Sequence, residues 1–368
     1  MRAANEIDFW RGFALVTIFI NHIPGFFYER FTHRNFGLSD SAELFVFLAG
    51  WSLRRLADNA SEPLGLGRLV LRLGARGVTL YAAQILITML AIAMIAAAAI
   101  LLDNALLLDW NNAAAVFQDP VPTHLGLVLL THQLGYFDIL PLYVVLMFGA
   151  PMMAVVDRLA PALLLPLSVI VYIGALAFEI NFHTWPVEGV WYFDPFAWQL
   201  IFVLGFVGAS QHGPAKWVRR HLNQLRLPCL AIVTVGAYLS IAGIAPDPVR
   251  VPEPKLFFIF DKTYLSPARL IHFLALAITF SGLFYFLQRI VPHPVAFLSM
   301  LGRNSLNVFC VGSLLSLGGQ LVRFEFGADI LEDTLVLIVA VAVLGLTAWL
   351  SELRERLRLP SARSASAP

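Results

Sequence analysis

Ten stretches of about 20 predominantly apolar residues recur along this 368-residue chain, and nothing else in it constrains the fold as tightly. Inside hydrocarbon every backbone N–H and C=O needs an internal partner, so each stretch must be a helix and the chain must be an all-α polytopic transmembrane bundle. The stretches lie at 8–28, 40–56, 78–102, 136–156, 160–179, 192–210, 226–245, 267–288, 295–319 and 331–351. The second is the weakest, because Ala42 to Leu53 is short enough to be a re-entrant or buried segment. Hydrophobic residues make up 59% of the chain and charged ones 13%, which leaves no soluble domain of useful size between the spans. The reading is one transmembrane domain over 1–352 followed by a short cytoplasmic, disordered tail over 353–368. The first apolar run carries Arg11, Asn21 and His22 and has no small-residue cleavage site, so it reads as a retained helix rather than a signal peptide.

Charge sets the orientation. Lys and Arg stay on the cytoplasmic side, and with ten spans both termini fall together. Placing the termini inside puts 18 of the 25 Lys and Arg residues on the inner side and 7 outside, and a crossing by 40–56 is needed to keep that bias. Twenty-four Asp and Glu bring the net charge to +1, which gives no bulk attraction to nucleic acid. Cys229 and Cys310 both sit in apolar runs, which excludes a disulfide framework or a CxxC-type zinc site; no metal and no tightly bound cofactor is expected.

Ionisable groups within apolar spans cost roughly 2.5–3.5 kcal/mol each on insertion scales, so they are candidates for function. Asp8 and Arg11 stand one turn apart and read as a pair near the cytoplasmic end of the first span. His22 follows Arg11 by eleven residues, close to three turns, so both face one way about 16 Å apart along the axis. Asp40 and Glu43 open the second span at its outer end, which brings Glu43 to the depth of His22, where a carboxylate would fix the imidazole as a general base. Arg68, Arg72 and Arg76 recur every fourth residue before the third span, a stripe suited to phosphate. Arg303, Asn304, Ser305 and Asn307 cluster early in span nine behind Gly302, which signals a close helix approach or a break. On the outer side Trp185, Trp191, Tyr192 and Trp198 flank Glu188 and Asp194, a composition that suits stacking on sugar rings. Each has a plainer reading: a helix-bonding His, a snorkelling Arg, a lipid-binding basic stripe, an interfacial aromatic belt.

Several segments resemble one family. Arg11 and His22 within "DFWRGFALVTIFINH" match the Arg/Lys-x10-His signature of the membrane acyltransferase-3 superfamily. "DSAELFVFLAGWSLRR" is similar to its acidic, Phe-rich second segment, with Ala49 where Ser is usual; "RLVLRLGAR" resembles its basic entry to span three and "LGRNSLNVF" its late Leu-Gly motif. "HRNFGLSDSAELFVFLAG", "FDILPLYVVLM", "FDPFAWQLIFVLG" and "LGRNSLNVFCVGSLLS" narrow the likeness to the OpgC branch, whose members are implicated in succinylating osmoregulated periplasmic glucans. The resemblance makes His22 the essential histidine, Arg11 its paired cation and Glu43 the acidic position. Cys310 and Gly312 stand where many relatives have a late histidine, so a second catalytic histidine there is not implied.

The function this implies is O-acyl transfer in the bacterial inner membrane, from a cytoplasmic acyl-CoA co-substrate, succinyl-CoA foremost, to hydroxyls of a periplasmic glucan. In that scheme Arg68, Arg72, Arg76 and Arg303 hold CoA, and His22, Glu43 and Arg11 do the chemistry. Asp40, Trp185, Trp191, Asn304 and Ser305 meet substrate, with Asn304 or Ser305 donating to the oxyanion. Rival readings are another acceptor polysaccharide or an acetyl donor, a transporter whose helices break at Pro141, Pro151 and Pro166, and a non-catalytic partner of glucan-biosynthesis proteins.

Overall fold

The computed structural model of the chain describes residues 3–58 and 66–358. In chain order the helices are α1 (Glu6–Asn21), α2 (Ser41–Asp58), α3 (Leu66–Leu101), α4 (Ala114–Gln118), α5 (Pro120–Val128), α6 (Ile139–Leu159) and α7 (Pro161–Phe178). They continue as α8 (Pro195–Gly208), α9 (Gly213–Ile241), α10 (Pro267–Thr279), α11 (Leu283–Ile290), α12 (Pro292–Arg303), α13 (Ser305–Phe326) and α14 (Ile330–Arg358). Helix α14 carries on six residues into the segment read as a disordered tail; the rest of that tail lies outside the described residues.

Among the described residues six helices, α3, α6, α7, α9, α13 and α14, are long and apolar enough to cross a bilayer, or seven if α10 and α11 form one bent span. This is a helical membrane protein. Three of the ten expected spans correspond to shorter helices: α1, α2 and α8 have 16, 18 and 14 residues. They rise about 24, 27 and 21 Å, less than a hydrocarbon core of about 30 Å. Two others are broken. Gly282, at φ 87, interrupts the stretch 267–288 between α10 and α11, and Asn304 interrupts 295–319 between α12 and α13. By contrast α6 and α7 run on through Pro151 and Pro166.

The chain divides into two compact units, one of Met1–Phe27 with Gly282–Pro368, the other of Tyr28–Ser281. Each is organised around a crossing in which glycines let two backbones touch. In the smaller unit α1 packs on α12: a Cβ at Gly12 would overlap the Leu298 carbonyl, and one at Gly302 would overlap the Asp8 carbonyl. The close approach that Gly302 signals in the sequence is therefore present, and so is the break two residues later. In the larger unit α2 packs on α8 in the same manner, Gly50 against the Phe202 carbonyl and Gly205 against the Phe47 carbonyl. Helix α8 is apolar apart from Gln199 and largely buried, with Trp198, Phe202 and Phe206 at its centre. Asp194 starts it by accepting the Phe196 and Ala197 N–H groups at 3.0 Å each, ahead of Pro195 at the first helical position.

These crossings predict an asymmetry among glycines. Gly50→Val or Gly302→Val must force two backbones apart and should destabilise the detergent-solubilised protein by about 1–3 kcal/mol. Gly149→Ala on α6, whose Cβ would meet nothing within 4 Å, should be neutral or stabilising by about 0.5–1 kcal/mol. Denaturant titration of the three variants checks the contrast.

Candidate functional site

Helix α1 ends at Asn21, seven residues before the expected end of its span, and His22 is its C-cap. An ending helix leaves its last carbonyls without partners. Here α13 supplies them from one face: Ser316 donates to the Phe19 carbonyl at 3.1 Å, Gln320 to the His22 carbonyl at 2.6 Å and Arg323 to the Gly25 carbonyl at 2.9 Å. Positions 316, 320 and 323 are spaced i, i+4, i+7, the repeat that aligns side chains along one stripe of a helix. Arg323 is itself ion-paired with the buried Asp333 of α14, whose other oxygen accepts the Phe27 N–H at 2.7 Å. The half-buried His22 thus sits on a backbone fixed from residue 19 to residue 27. At the other end of α1, Asn5 caps the helix by accepting the Asp8 N–H at 3.0 Å, and Asp8 pairs with Arg11 at 3.8 Å, the pairing read from the sequence.

The break at Asn304 lies at the opposite end of this unit from His22. Gly302 rests on Asp8, whereas Gln320 reaches His22, and the fifteen residues from Ser305 to Gln320 span about 22 Å of helix. Ser305, expected with Asn304 to meet the oxyanion, therefore stands about 22 Å along α13 from Gln320, the residue that contacts the His22 carbonyl. Asn304 donates instead to the Met300 carbonyl at 2.9 Å, and Asn307 to Ser351 at 2.9 Å. Arg303, expected at CoA, is tied to Glu352 of α14 at 2.8 Å.

In the larger unit the carboxylates at the start of α2 meet two cations that the sequence gives no spacing for. Glu43, wholly buried, accepts Arg269 at 2.6 and 2.9 Å and the Asp40 N–H at 2.9 Å. Asp40 accepts Lys262 at 2.6 Å and the Ala42 N–H at 2.8 Å, with Arg269 at 3.5 Å. Burial pulls the Lys262 ammonium down, but Asp40, with Tyr192 and Glu43, outweighs it and holds the group above its ordinary range. Burial pushes the nearby His33 below the usual imidazole value, and the pull of Asp40 offsets only part of it. One turn after Arg269, the buried His272 bonds Ser39 at 2.8 Å, its ring clamped where Gly37 and Gly236 leave no room for a Cβ. Glu43 belongs to the larger unit and His22 to the smaller; the partners of the Glu43 carboxylate within its own unit are Arg269 and the Asp40 backbone.

Helix α3 carries the arginine stripe without interruption: Leu69, Leu73 and Leu80 are buried on one face, and Arg68, Arg72 and Arg76 are exposed. Arg54, by contrast, is spent on Asp157 at 2.8 Å and Asp58 at 2.9 Å, over the Phe206 ring. The outer aromatics divide. Trp191 is 4% exposed and packs edge-on to Phe182, and Trp198 is fully buried, so their rings form core; Trp185 and Tyr192 are the exposed members, at 44% and 47%. Sequence reasoning missed Gln320, Asp333, Lys262 and Arg269 as partners. The signal for the last two was available: paired carboxylates entering an apolar segment need cations, and Lys262 and Arg269 are among the seven that the charge count assigns to the same side.

Arg269→Met should lower stability by about 3–5 kcal/mol, because it strands Glu43 as a buried unpaired charge. The double variant Glu43→Gln, Arg269→Met should lose less than the sum of the single changes, a coupling that a double-mutant cycle reads directly.

No curated protein and no solved structure matches the chain significantly. The family model described as OpgC protein matches residues 3–356, nearly the entire length. The arginine and histidine of α1, the acidic opening of α2 and the glycine-marked break before α13 all fall inside that match, and the chain belongs to the OpgC family.

Proposed function

We propose that the chain is an inner-membrane acyltransferase that moves an acyl group, succinyl foremost, from a cytoplasmic acyl-CoA to a hydroxyl of an osmoregulated periplasmic glucan. Membership of the OpgC family supports a role in succinylation of that glucan. The observation that carries the mechanism is the seating of His22: a half-buried imidazole at the end of a helix that also bears Arg11, its backbone fixed by Gln320 and Arg323. Fixed geometry of this kind is what a general base needs, and such a base contributes typically about 10²–10⁴-fold.

In the proposed reaction His22 accepts the proton of a sugar hydroxyl as its oxygen attacks the thioester carbonyl. The tetrahedral intermediate collapses with cleavage of the C–S bond, and the proton passes from His22 to the departing thiolate, giving the glucan ester and CoA. Arg68, Arg72 and Arg76 bind the CoA phosphates, being exposed and on one helix. Arg11, partnered by Asp8, steadies the polar part of the donor. The ring for stacking on the acceptor is Tyr192 or Trp185. Both termini lie on the cytoplasmic side in this scheme.

Three measurements test it. His22→Ala should abolish succinyl substitution in the mass spectrum of cellular glucans while leaving the polymer itself, and retained substitution overturns the assignment. Gln320→Leu, which removes the donor to the His22 carbonyl, should lower turnover by about 10–100-fold with KM for the donor unchanged. Replacing Arg68, Arg72 and Arg76 by Gln should instead raise KM for acyl-CoA by at least about tenfold with little change in turnover.

A further inference from the structure

The ion cluster at the start of α2 has two layers of different character. The inner layer, Asp40, Glu43 and Arg269, is closed: these side chains are 10%, 0% and 12% exposed, and their hydrogen bonds run to one another, to Lys262 and to backbone. The outer layer is open. Lys262 is 27% exposed, and among the described residues Asp40 is the one carboxylate it is bonded to, although an ammonium has three donors. Its Nζ lies 5.8 Å from the ring centre of Tyr192 and 5.5 Å from that of Phe193, and the Tyr192 ring is 47% exposed. Asp138 stands within the field of Lys262 at the head of α6, and its side chain caps no helical N–H. Tyr136 completes the group, within reach of the charges of Arg34, Glu29 and Asp138 and of the Tyr192 hydroxyl.

The backbones that present these groups are pinned. Trp198 donates its indole N–H to the Lys262 and Thr263 carbonyls at 3.1 Å each, Tyr172 donates to the Leu265 carbonyl at 2.8 Å, and Gln84 donates to the Phe137 carbonyl at 2.9 Å. Charge decides what such a basin accepts. Asp40 already answers Lys262, and Asp40 with Glu43 answers Arg269, at ion-pair distance, so a second anion such as a dicarboxylate finds no unmatched cation between them. A neutral polyol finds what it needs: a carboxylate acceptor, ammonium and phenol donors, and an exposed aromatic face.

We infer that Tyr136, Asp138, Tyr192 and Lys262 form a saccharide subsite, in which the Tyr192 ring stacks on a sugar while Asp138 and Lys262 hydrogen-bond its hydroxyls. The inference rests on the glucan-acceptor reading above and gives it a location within the larger unit. The test titrates the full-length, detergent-solubilised protein with an unsubstituted glucose oligosaccharide, with coenzyme A and with succinate, each by calorimetry. The variants are Tyr192→Ala, which removes a half-exposed ring, and Asp138→Asn, which keeps the size of the side chain. Each should weaken oligosaccharide binding by about tenfold, Tyr192→Trp should restore it, and coenzyme A should bind all four proteins alike. Oligosaccharide binding by Tyr192→Ala and Asp138→Asn within about twofold of the parent overturns the subsite. So does succinate binding that Lys262→Gln abolishes, which would make the basin a carboxylate site. Failure of the acceptor reading looks different: the parent protein itself then transfers no acyl group to glucan.

Discussion

A helix that stops inside a membrane protein creates a debt of carbonyl groups, and the way α1 settles it governs the rest of its unit. The carbonyls of Phe19, His22 and Gly25 are met by a hydroxyl, an amide and a guanidinium aligned on α13. The guanidinium is in turn fixed by a buried carboxylate on α14. At its other end α1 is pressed backbone to backbone on α12 through Gly12 and Gly302. A helix secured at both ends by different means has little freedom to slide or rotate, and the imidazole at its end inherits that rigidity.

The elements were legible where hydrophobicity alone decides them. Stretches such as 139–156, 161–178 and 335–350 are predominantly apolar and carry no charge, and helix is the one structure that satisfies such a segment in lipid. The early end of α1 and the break in 267–288 were not legible, because both turn on single residues, His22 with the Pro24–Gly25 pair behind it and Gly282, embedded in runs that stay apolar. Gly302 announced a tight crossing or a break, and both occur: a residue without a side chain permits the first, and Asn304 two positions on tolerates the second. Of the site, the local pairs were readable: Asp8 with Arg11 is an i, i+3 pair, and the arginine stripe is an i, i+4 series. What spacing cannot give is a partner from a distant segment. Arg269 lies 226 positions from Glu43 and Gln320 lies 298 from His22, so only the tertiary fold brings them together.

The protein keeps its charges in two conditions. Arg54, Arg269, Arg303 and Arg323 are each matched by a carboxylate and largely withdrawn from solvent, which makes them braces whose loss would strand a partner. Arg68, Arg72 and Arg76 are exposed, and Lys262 is the least buried member of an otherwise closed group. A cation already neutralised at short range offers a ligand less than an exposed one, and the proposed binding of acyl-CoA accordingly uses the exposed arginines.

Helix α3 adds a mechanical point. Its 36 residues make a rod about 54 Å long, well beyond the thickness of the hydrocarbon, and the three guanidiniums are fixed near one end of it. Charge and span are then parts of a single lever. Whatever grips those arginines at the membrane surface also applies torque to the segment within the lipid, and any change in the slant of that segment sweeps the gripped molecule sideways by an amount set by the overhang.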